Sequence, residues 1–582
     1  MRWSLSSVDP EKVDRLAESA GVSPLLARLL VLRGMDSAES AHRFLHPSLA
    51  HLHDPYLMPD ARLAVERLRR AIARREKILI YGDYDVDGTM AVVVLLTALG
   101  ALGAQVEAHI PHRLADGYGM RASQIERAAA EGFRLVLSVD TGIREHEAIA
   151  RARALGVDCI VTDHHLPEAT LPPAGAILNP RRRDGSYPDK NLSGVGVAFK
   201  LAQALLGERM TERQLESYLK VVAIGTVADV VPLVGENRVM VSYGLRALRQ
   251  PAQPGLEALL SVAGLLGRPV TAADVGFRIA PRLNAAGRMQ DARDVIRLLQ
   301  TDNPEEARRI AERLEGLNRE RQRVEDVILR EILGQMAENA EKAKRYSLVF
   351  SGRGWHRGVI GIVAQRVVER YHRPTLVIGV EDGMGQGSGR SVANFHLLEA
   401  LTESRDLFER FGGHAQAAGF TMPAARVAEL EERFERHARS HLTPADLEPE
   451  LNLDAKLEIA ELDGALYGQL KLLEPFGAGN PTPVFRGRNL RLLSPPRIVG
   501  EKHLKLRVAC GAKSFDAIGW SQADRAGSVR AGLPIEAAFT VGENTYQGTT
   551  SLQMVLRDFR VGAGATEKTV NPNLHPAERR AE

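Results

Sequence analysis

Cysteine is nearly missing from this chain. The two present among 582 residues, Cys159 and Cys510, lie far apart and lack the C-x-x-C spacing of zinc or redox sites, so both are read as buried small apolar residues. No stretch of ~18 uncharged apolar residues is available to span a bilayer. The opening Met1-Arg2-Trp3-Ser4 lacks the apolar run of a signal peptide, and a cytoplasmic location is expected. Charge of one sign is missing as well: 76 basic against 73 acidic side chains leave a formal +3. That is too little for bulk attraction to nucleic acid, so any basic track must be local. No internal repeat is found. What is there is length and 44% hydrophobic residues, more than one core usually organises, hence several globular domains.

Hydrophobic period divides the chain. Up to about residue 75, Leu25, Leu26, Leu29 and Leu30, and then Leu63, Val65 and Leu68, recur at helix spacing, predicting a helical cap over the first core. Strand-like Lys77-Ile78-Leu79-Ile80-Tyr81 leads through an acidic loop into the apolar run Met90 to Leu99. The unit recurs at Leu135 to Val139 before Glu145 to Ala154, and at Cys159 to Thr162. Short strands alternating with helices predict a parallel sheet covered on both faces. Met210 to Arg249 reads as mainly helical, and Asn303-Pro304-Glu305-Glu306 supplies a cap residue, proline in the first turn and early acids. The helix begun there carries an apolar stripe from Ile310 to Ile332 among many Arg and Glu, which suits a largely solvated rod joining two domains. A glycine-rich second α/β domain follows from Tyr346. After about Glu450 the period changes to alternation, as at Leu504, Leu506 and Val508, predicting a small antiparallel barrel of the OB type. Residues after Gly562 show no apolar period and are read as a disordered tail.

The chemistry is concentrated where strands end. Asp83, Asp85 and Asp87 alternate in a glycine-flanked loop after a strand. Three unpaired carboxylates repel, and a divalent cation is the usual resolution, although Asp and Gly also build solvated turns. Asp140 ends the next strand, a position where an Asp is often a helix cap and is by itself a weak sign of a ligand. Asp163-His164-His165 ends the third. Parallel strands present their carboxyl ends on one rim, so the three loops converge. Asp229 is the only acid of Gly225 to Pro232, and a buried carboxylate needs a partner or a metal. Mixed Asp/His ligation suits Mn²⁺ or Mg²⁺ better than structural zinc, and two such ions would activate water beside a phosphoryl leaving group. Arg282 and Arg288 in Pro281 to Arg288, and Ser388 and Arg390 in Gly385 to Ser391, join anion-binding side chains to glycines that expose backbone N–H groups. The segment Phe411 to Phe420, with Gly412, Gly413 and His414, is similar in kind, or is a tight helix-strand junction.

In this order the segments resemble the DHH phosphoesterase superfamily, and within it the bacterial single-strand-specific exonucleases, over nearly the whole chain. Tyr81 to Gly88 resembles the first motif, Asp140 the second, Asp163-His164-His165 the third and Asp229 the fourth. Gly412 to Phe420 is similar to the signature of the associated DHHA1 domain, and Pro475 to Pro481 to the lead into an OB-fold. The resemblance implies a parallel-sheet DHH domain (76–300) behind the cap (1–75), a connecting helix (301–345), a DHHA1 domain (346–445) and an OB-fold (446–562), with the tail at 563–582. It implies that Asp85, Asp87, Asp140, His164 and Asp229 ligate two Mn²⁺ or Mg²⁺ ions with Asp140 bridging, and that Asp83 ligates or orients one. His165 would face the scissile phosphate and Asp163 would fix the neighbouring imidazole. Arg113, Arg288, Ser388 and Arg390 would grip phosphates; Tyr118, Trp355 and Phe395 are candidates for stacking bases or else core residues, and Lys502, His503, Lys505 and Arg507 extend the track or are an ordinary exposed strand face. The implied activity is hydrolysis of single-stranded DNA from the 5′ end to 5′-mononucleotides, in repair and recombination. The implied partners are that strand, a RecQ-type helicase and a single-strand-binding protein, with the enzyme a monomer. The rivals are a DHH enzyme for cyclic dinucleotides or very short oligonucleotides, and a non-catalytic relative.

Overall fold

The computed structural model describes residues 1–113, 117, 119–546, 548–562 and 569–570. The chain forms two compact units, His53–Val231 with Tyr243–Pro449, and Met1–Leu52 with Pro232–Ser242 and Glu450–Glu582. Among the described residues no helix is long and apolar enough to cross a membrane.

In the first unit a five-stranded parallel sheet runs in the order Gln105–His109, Lys77–Gly82, Phe133–Val139, Asp158–Thr162, Ala176–Leu178. Alternate residues of a strand point to opposite faces. Leu79 and Tyr81 accordingly share a core with Ile125 and Ile149 of the helices Ala122–Ala130 and His146–Ala154. Gly82, turned the other way, lies against Val92 of the helix Val86–Ala101. Helices therefore cover both faces, as the alternating pattern predicts. The first and last strands carry too few apolar residues to stand out in the sequence.

The connecting helix runs Pro304–Glu338, capped by the Asn303 side chain, which accepts from the Glu305 and Glu306 backbone N–H groups. It is less solvated than its charge suggests. Asn318, Arg321 and Glu325 are buried on it, and Arg321 donates to both others at 2.6 Å. Arg366 of the helix Ile360–Tyr371 adds an ion pair to Glu325. Charged side chains in the pattern thus serve as packing once they are paired.

The second sheet of this unit orders Arg410–Gly413, Ala417–Pro423, Met384–Arg390, Thr375–Glu381, Leu348–Arg353, with only the last two parallel. Glycine disfavours strands, yet Met384–Arg390 is one, with Gly385, Gly387 and Gly389 buried on one face. A Cβ on Gly387 would stand 2.0 Å from the Phe420 ring, and one on Gly389 2.7 Å from Leu376. The missing side chains make room for large ones from neighbouring elements. The segment Phe411 to Phe420 is part of a hairpin, Gly412 facing Gly419, and not a helix-strand junction.

In the second unit, strands Phe485–Leu492, Pro534–Tyr546, Thr549–Val561, Lys513–Gly519 and His503–Cys510 follow one another, and a short pairing of the first with the last partly closes the ring. The expected antiparallel arrangement is broken where Lys513–Gly519 runs parallel to Thr549–Val561. The N-terminal cap is corrected here. Leu26, Leu29, Leu30 and Leu45 share one core with Leu504, Leu506, Phe539 and Met554, because their apolar stripe meets the inner face of the ring. Only Pro55–Leu57 and Ala61–Ala73 of the expected cap lie in the unit with the parallel sheet. Arg238 is 2% exposed and donates to the carbonyls of Phe44, Leu472, Leu473, Glu474 and Pro475, binding the three chain segments of this unit together. Cys159 is buried as expected, but Cys510 is only half-buried. Of the tail, Thr569–Val570 pairs with Arg2–Ser6; its other residues after Gly562 lie outside the described residues.

Candidate metal centre

Each acidic motif sits where the fold places a strand end or helix end. Asp85 is the N-cap of Val86–Ala101, accepting from Gly88 N–H at 2.9 Å, and Asp83 and Asp87 flank it, 5% and 1% exposed. Asp87 receives the backbone N–H groups of Gly194 at 2.6 Å and Val195 at 3.0 Å, at the start of the helix Gly194–Leu206. Asp140 follows its strand in a left-handed conformation, φ 58°. Gly194 approaches so closely that a Cβ there would lie 2.6 Å from the Asp140 carboxylate.

Asp163 accepts from the His164 and His165 backbone N–H groups at 2.7 and 3.0 Å, and from His165 Nδ1 at 2.7 Å, while Ile143 N–H bonds its second oxygen at 3.0 Å. Both of its oxygens are hydrogen-bonded, and it belongs to none of the groups able to hold a metal among the described residues. His164 Nε2 stands 3.1 Å from Asp140, 3.6 Å from Asp229 and 3.9 Å from Asp87. Asp229 caps the C-terminus of Glu212–Ala228 and is partly exposed, not buried as its apolar neighbours suggest. Three overlapping groups have ligand atoms within 4.8 Å of one another: Asp83, Asp85 and Asp140; Asp140, His164 and His165; and Asp87, His164 and Asp229.

The electrostatics are those of an uncompensated cluster. Burial, then the neighbouring acids, holds Asp83 and Asp140 well above the usual carboxylate range. The same causes push Asp87 up to about 7 and Asp229 up to about 9. Burial, and then His165, lowers His164 to about 4, which keeps a neutral imidazole with a lone pair to offer. Burial is the largest influence on His165 and opposes its charged form, but the Asp163 hydrogen bond and the charges of Asp163, Asp87 and Asp83 together raise that group. One carboxylate oxygen each of Asp83, Asp140 and Asp229, and His164 Nε2, are buried without a hydrogen-bond partner. Buried polar atoms left so are costly, and together these form a donor set of oxygens and one nitrogen suited to hard divalent cations.

Beside the acids, Asn284, Arg288, Arg113 and Tyr84 line the same pocket. Arg113 lies 4.8 Å over the Tyr84 ring. Burial and then the charges of Arg113 and Arg390 lower Arg288 to about 9. Arg390 is itself lowered by burial and Arg113, and bonds Ser388 Oγ at 3.3 Å. Both residues stand at the first turn of Ile360–Tyr371, since a Cβ on Gly361 would come within 2.9 Å of Ser388. Three guanidinium groups and a helix N-terminus thus share one positive region. His414 is exposed at the hairpin with Gly412 and Gly413, in the fields of Arg144 and His165.

The chain matches the models of the DHH family N-terminal domain over residues 77–226, the DHHA1 domain over 344–440 and the RecJ OB domain over 453–558. It is 37% identical to the single-stranded-DNA-specific exonuclease RecJ of Bacillus subtilis (strain 168) over 564 residues, 96% of this chain and 71% of that one. The chain belongs to the RecJ exonuclease family. Crystal structures of RecJ from Thermus thermophilus in complex with Mn²⁺ and with Mg²⁺ superpose with TM-scores of 0.84 and 0.78. Identity is 33% and 32%, over 98% of this chain in both cases and 81% and 80% of theirs.

Not every expected residue of this RecJ-family chain reaches the site. Arg282 is turned to the connecting helix in an ion pair with Glu315 at 2.7 Å, and it is absent from the pocket lining. Trp355 and Phe395 are core residues: Trp355 donates to Glu331, and Phe395 packs edge-on against Phe434. Neither offers a face to a base, and Tyr118 lies outside the described residues. Lys505 and Arg507 pair with Asp516, and His503 Nδ1 accepts from Ser521 N–H. Sequence reasoning missed Gly194 and Val195, whose N–H groups anchor Asp87, and Asn284 in the pocket. The only sign of the first pair was Ser193 before an apolar run, an ordinary helix start.

Proposed function

We propose that this chain is a metal-dependent exonuclease that degrades single-stranded DNA from its 5′ end to 5′-mononucleotides. The observation that carries the reading is the cluster of unsatisfied carboxylate and imidazole atoms beside three convergent arginines. Asp83, Asp85 and Asp140 would hold one Mn²⁺ or Mg²⁺ ion, and Asp87, His164 and Asp229 a second, with Asp140 close enough to His164 to bridge. Such a pair of ions supplies an activated water and a positive charge at the leaving oxygen. Asp163 keeps the His165 ring oriented beside Asp140, and that ring meets the scissile phosphate. Arg113, Arg288 and Arg390 repel one another until an anion enters, so they favour a phosphate at this spot, and with Ser388 they hold the terminal 5′-phosphate. Gly412, Gly413 and His414 border the strand.

In this reading 76–300 carries the metals, 346–445 the 5′ end, and 446–562 a further strand-holding surface. The enzyme works as a cytoplasmic monomer on strands that a RecQ-type helicase opens and a single-strand-binding protein coats. The test is incubation with Mn²⁺ and 5′-labelled single strands of increasing length, beside a duplex and a cyclic dinucleotide. Release of 5′-mononucleotides from single strands alone is expected. Preference for the cyclic dinucleotide, or no hydrolysis at all, overturns the assignment.

The acids also predict a metal-linked stability. A carboxyl raised to about 7 or 9, as at Asp87 and Asp229, against ~3.9 in the unfolded chain keeps its proton longer when folded. Its contribution is complete below the unfolded value and is lost as pH rises through the folded one. Metal-free protein should therefore lose melting temperature progressively from about pH 4 to about pH 9 on this account. Added Mn²⁺ should raise the melting temperature more at about pH 8.5 than at about pH 6, where protons still compete for the ligands. A melting temperature indifferent to Mn²⁺ at both values would exclude the centre.

A further inference from the structure

A single-strand enzyme needs faces on which bases stack, and the structure removes Trp355 and Phe395 from that role. It offers another ring. Phe277 is 83% exposed, more than any other large hydrophobic residue described. It sits in a π-helical segment, Val275–Ile279, inside the continuous helical stretch that ends with Ala280–Met289. Such one-turn widenings recur at functional sites.

The direction of that turn is informative. Residues four, seven and eleven positions apart share a helix face. Phe277, Pro281, Asn284 and Arg288 have this spacing and all remain solvent-accessible, while Ile279, Ala280, Leu283, Ala285, Ala286 and Gly287 between them are buried. Asn284 and Arg288 line the pocket. Phe277, inside the wider turn, therefore stands near that face about two turns further out, roughly 10 Å along the axis from Asn284. Its mount is stiff: Arg278 donates to the Ala263 carbonyl at 2.6 Å and pairs with Asp274, and Arg282 donates to the Arg278 carbonyl at 2.5 Å.

We infer that Phe277 is the stacking platform for a base of the strand that leads away from the metal pocket. This rests on the exonuclease reading above and names a positioning residue that reading lacks. Only strands long enough to extend from the pocket to the ring gain from it. The contact is made to the face of a base, so it is indifferent to sequence.

The experiment measures kcat and KM with Mn²⁺ for single strands from two to twelve nucleotides, using wild-type, Phe277→Ala and Phe277→Trp proteins. Phe277→Ala should leave the dinucleotide unaffected and raise KM for the longer strands roughly 5- to 100-fold, as loss of one stacked base does. Phe277→Trp should restore it. In wild-type enzyme, an abasic residue moved along the strand should reproduce the loss at one position and add nothing in Phe277→Ala. Equal loss at every length means a disturbed site and overturns the inference, as does no loss at any length. A wild-type protein that cleaves no strand overturns the exonuclease reading, and this inference with it; normal wild-type cleavage with an indifferent Phe277→Ala removes this inference alone.

Discussion

Replacing Asp140 by asparagine is expected to abolish strand hydrolysis while making the metal-free protein more stable. The two effects share one cause. The carboxylate is 2% exposed, and burial and the charges of Asp87, Asp85, Asp229 and Asp83 all oppose its ionisation. Without metal, ionising it means placing a buried charge among like charges, a cost that asparagine does not carry. In the reading proposed above it would serve the metal centre as the carboxylate common to the groups Asp83, Asp85, Asp140 and Asp140, His164, His165. Asparagine is the informative substitution because φ is 58°, a conformation asparagine adopts far more readily than alanine. Turnover should fall at least about a thousandfold, or ~4 kcal/mol of barrier. The melting temperature in chelator should rise, and affinity for a twelve-nucleotide strand should persist. Retained turnover would remove Asp140 from the centre. A lower melting temperature in chelator would show that the acids are not strained against one another.

The second large effect lies in the other unit and concerns folding alone. Arg238→Met would strand the carbonyls of Phe44, Leu472 and Glu474, would take one of two donors from those of Leu473 and Pro475, which Asn480 also holds, and would remove the guanidinium 3.8 Å over the Phe44 ring. Methionine fills much of the same volume, so the loss isolates the hydrogen bonds from packing. A destabilisation of about 3–5 kcal/mol is expected from carbonyls stranded in the interior. Arg238→Lys should recover less than half of it, because an ammonium has three donors and no planar fork. Urea unfolding followed through Trp3 and Trp520, both in this unit, measures the change. An Arg238→Met protein as stable as wild type would mean that water replaces the guanidinium at little cost.

The metal acids were legible because a strand followed by an acidic, glycine-flanked loop is a local pattern, and parallel strands bring such loops to one rim whatever else the chain does. The start of the connecting helix was legible for the same reason, in Asn303 and Pro304. What escaped depends on contacts distant in sequence. Nothing near Leu26 or Leu29 states that their partners lie beyond residue 450, so the N-terminal helices were assigned to the wrong core. Glycine at alternate positions was read only as exposing N–H groups, not as a strand, because the reason for it, the Phe420 ring, comes some thirty residues later. Of the aromatic residues, Trp355 and Phe395 took the core alternative, and Phe277, which is exposed, drew no reading at all. A π-helical turn leaves no period in the sequence by which its outward residue might be recognised.

The unit that Arg238 holds together has a consequence in time. Its first segment ends at Leu52 and its last begins at Glu450, so about 400 residues of other chain emerge from the ribosome between them. At 5–20 residues per second that is roughly 20–80 s. For this interval Leu26, Leu29 and Leu30 have no ring of strands to cover them, while the parallel-sheet unit can already assemble. Newly made protein is therefore most open to aggregation and to chaperones at its N-terminus, the part synthesised first and among the last to find its place.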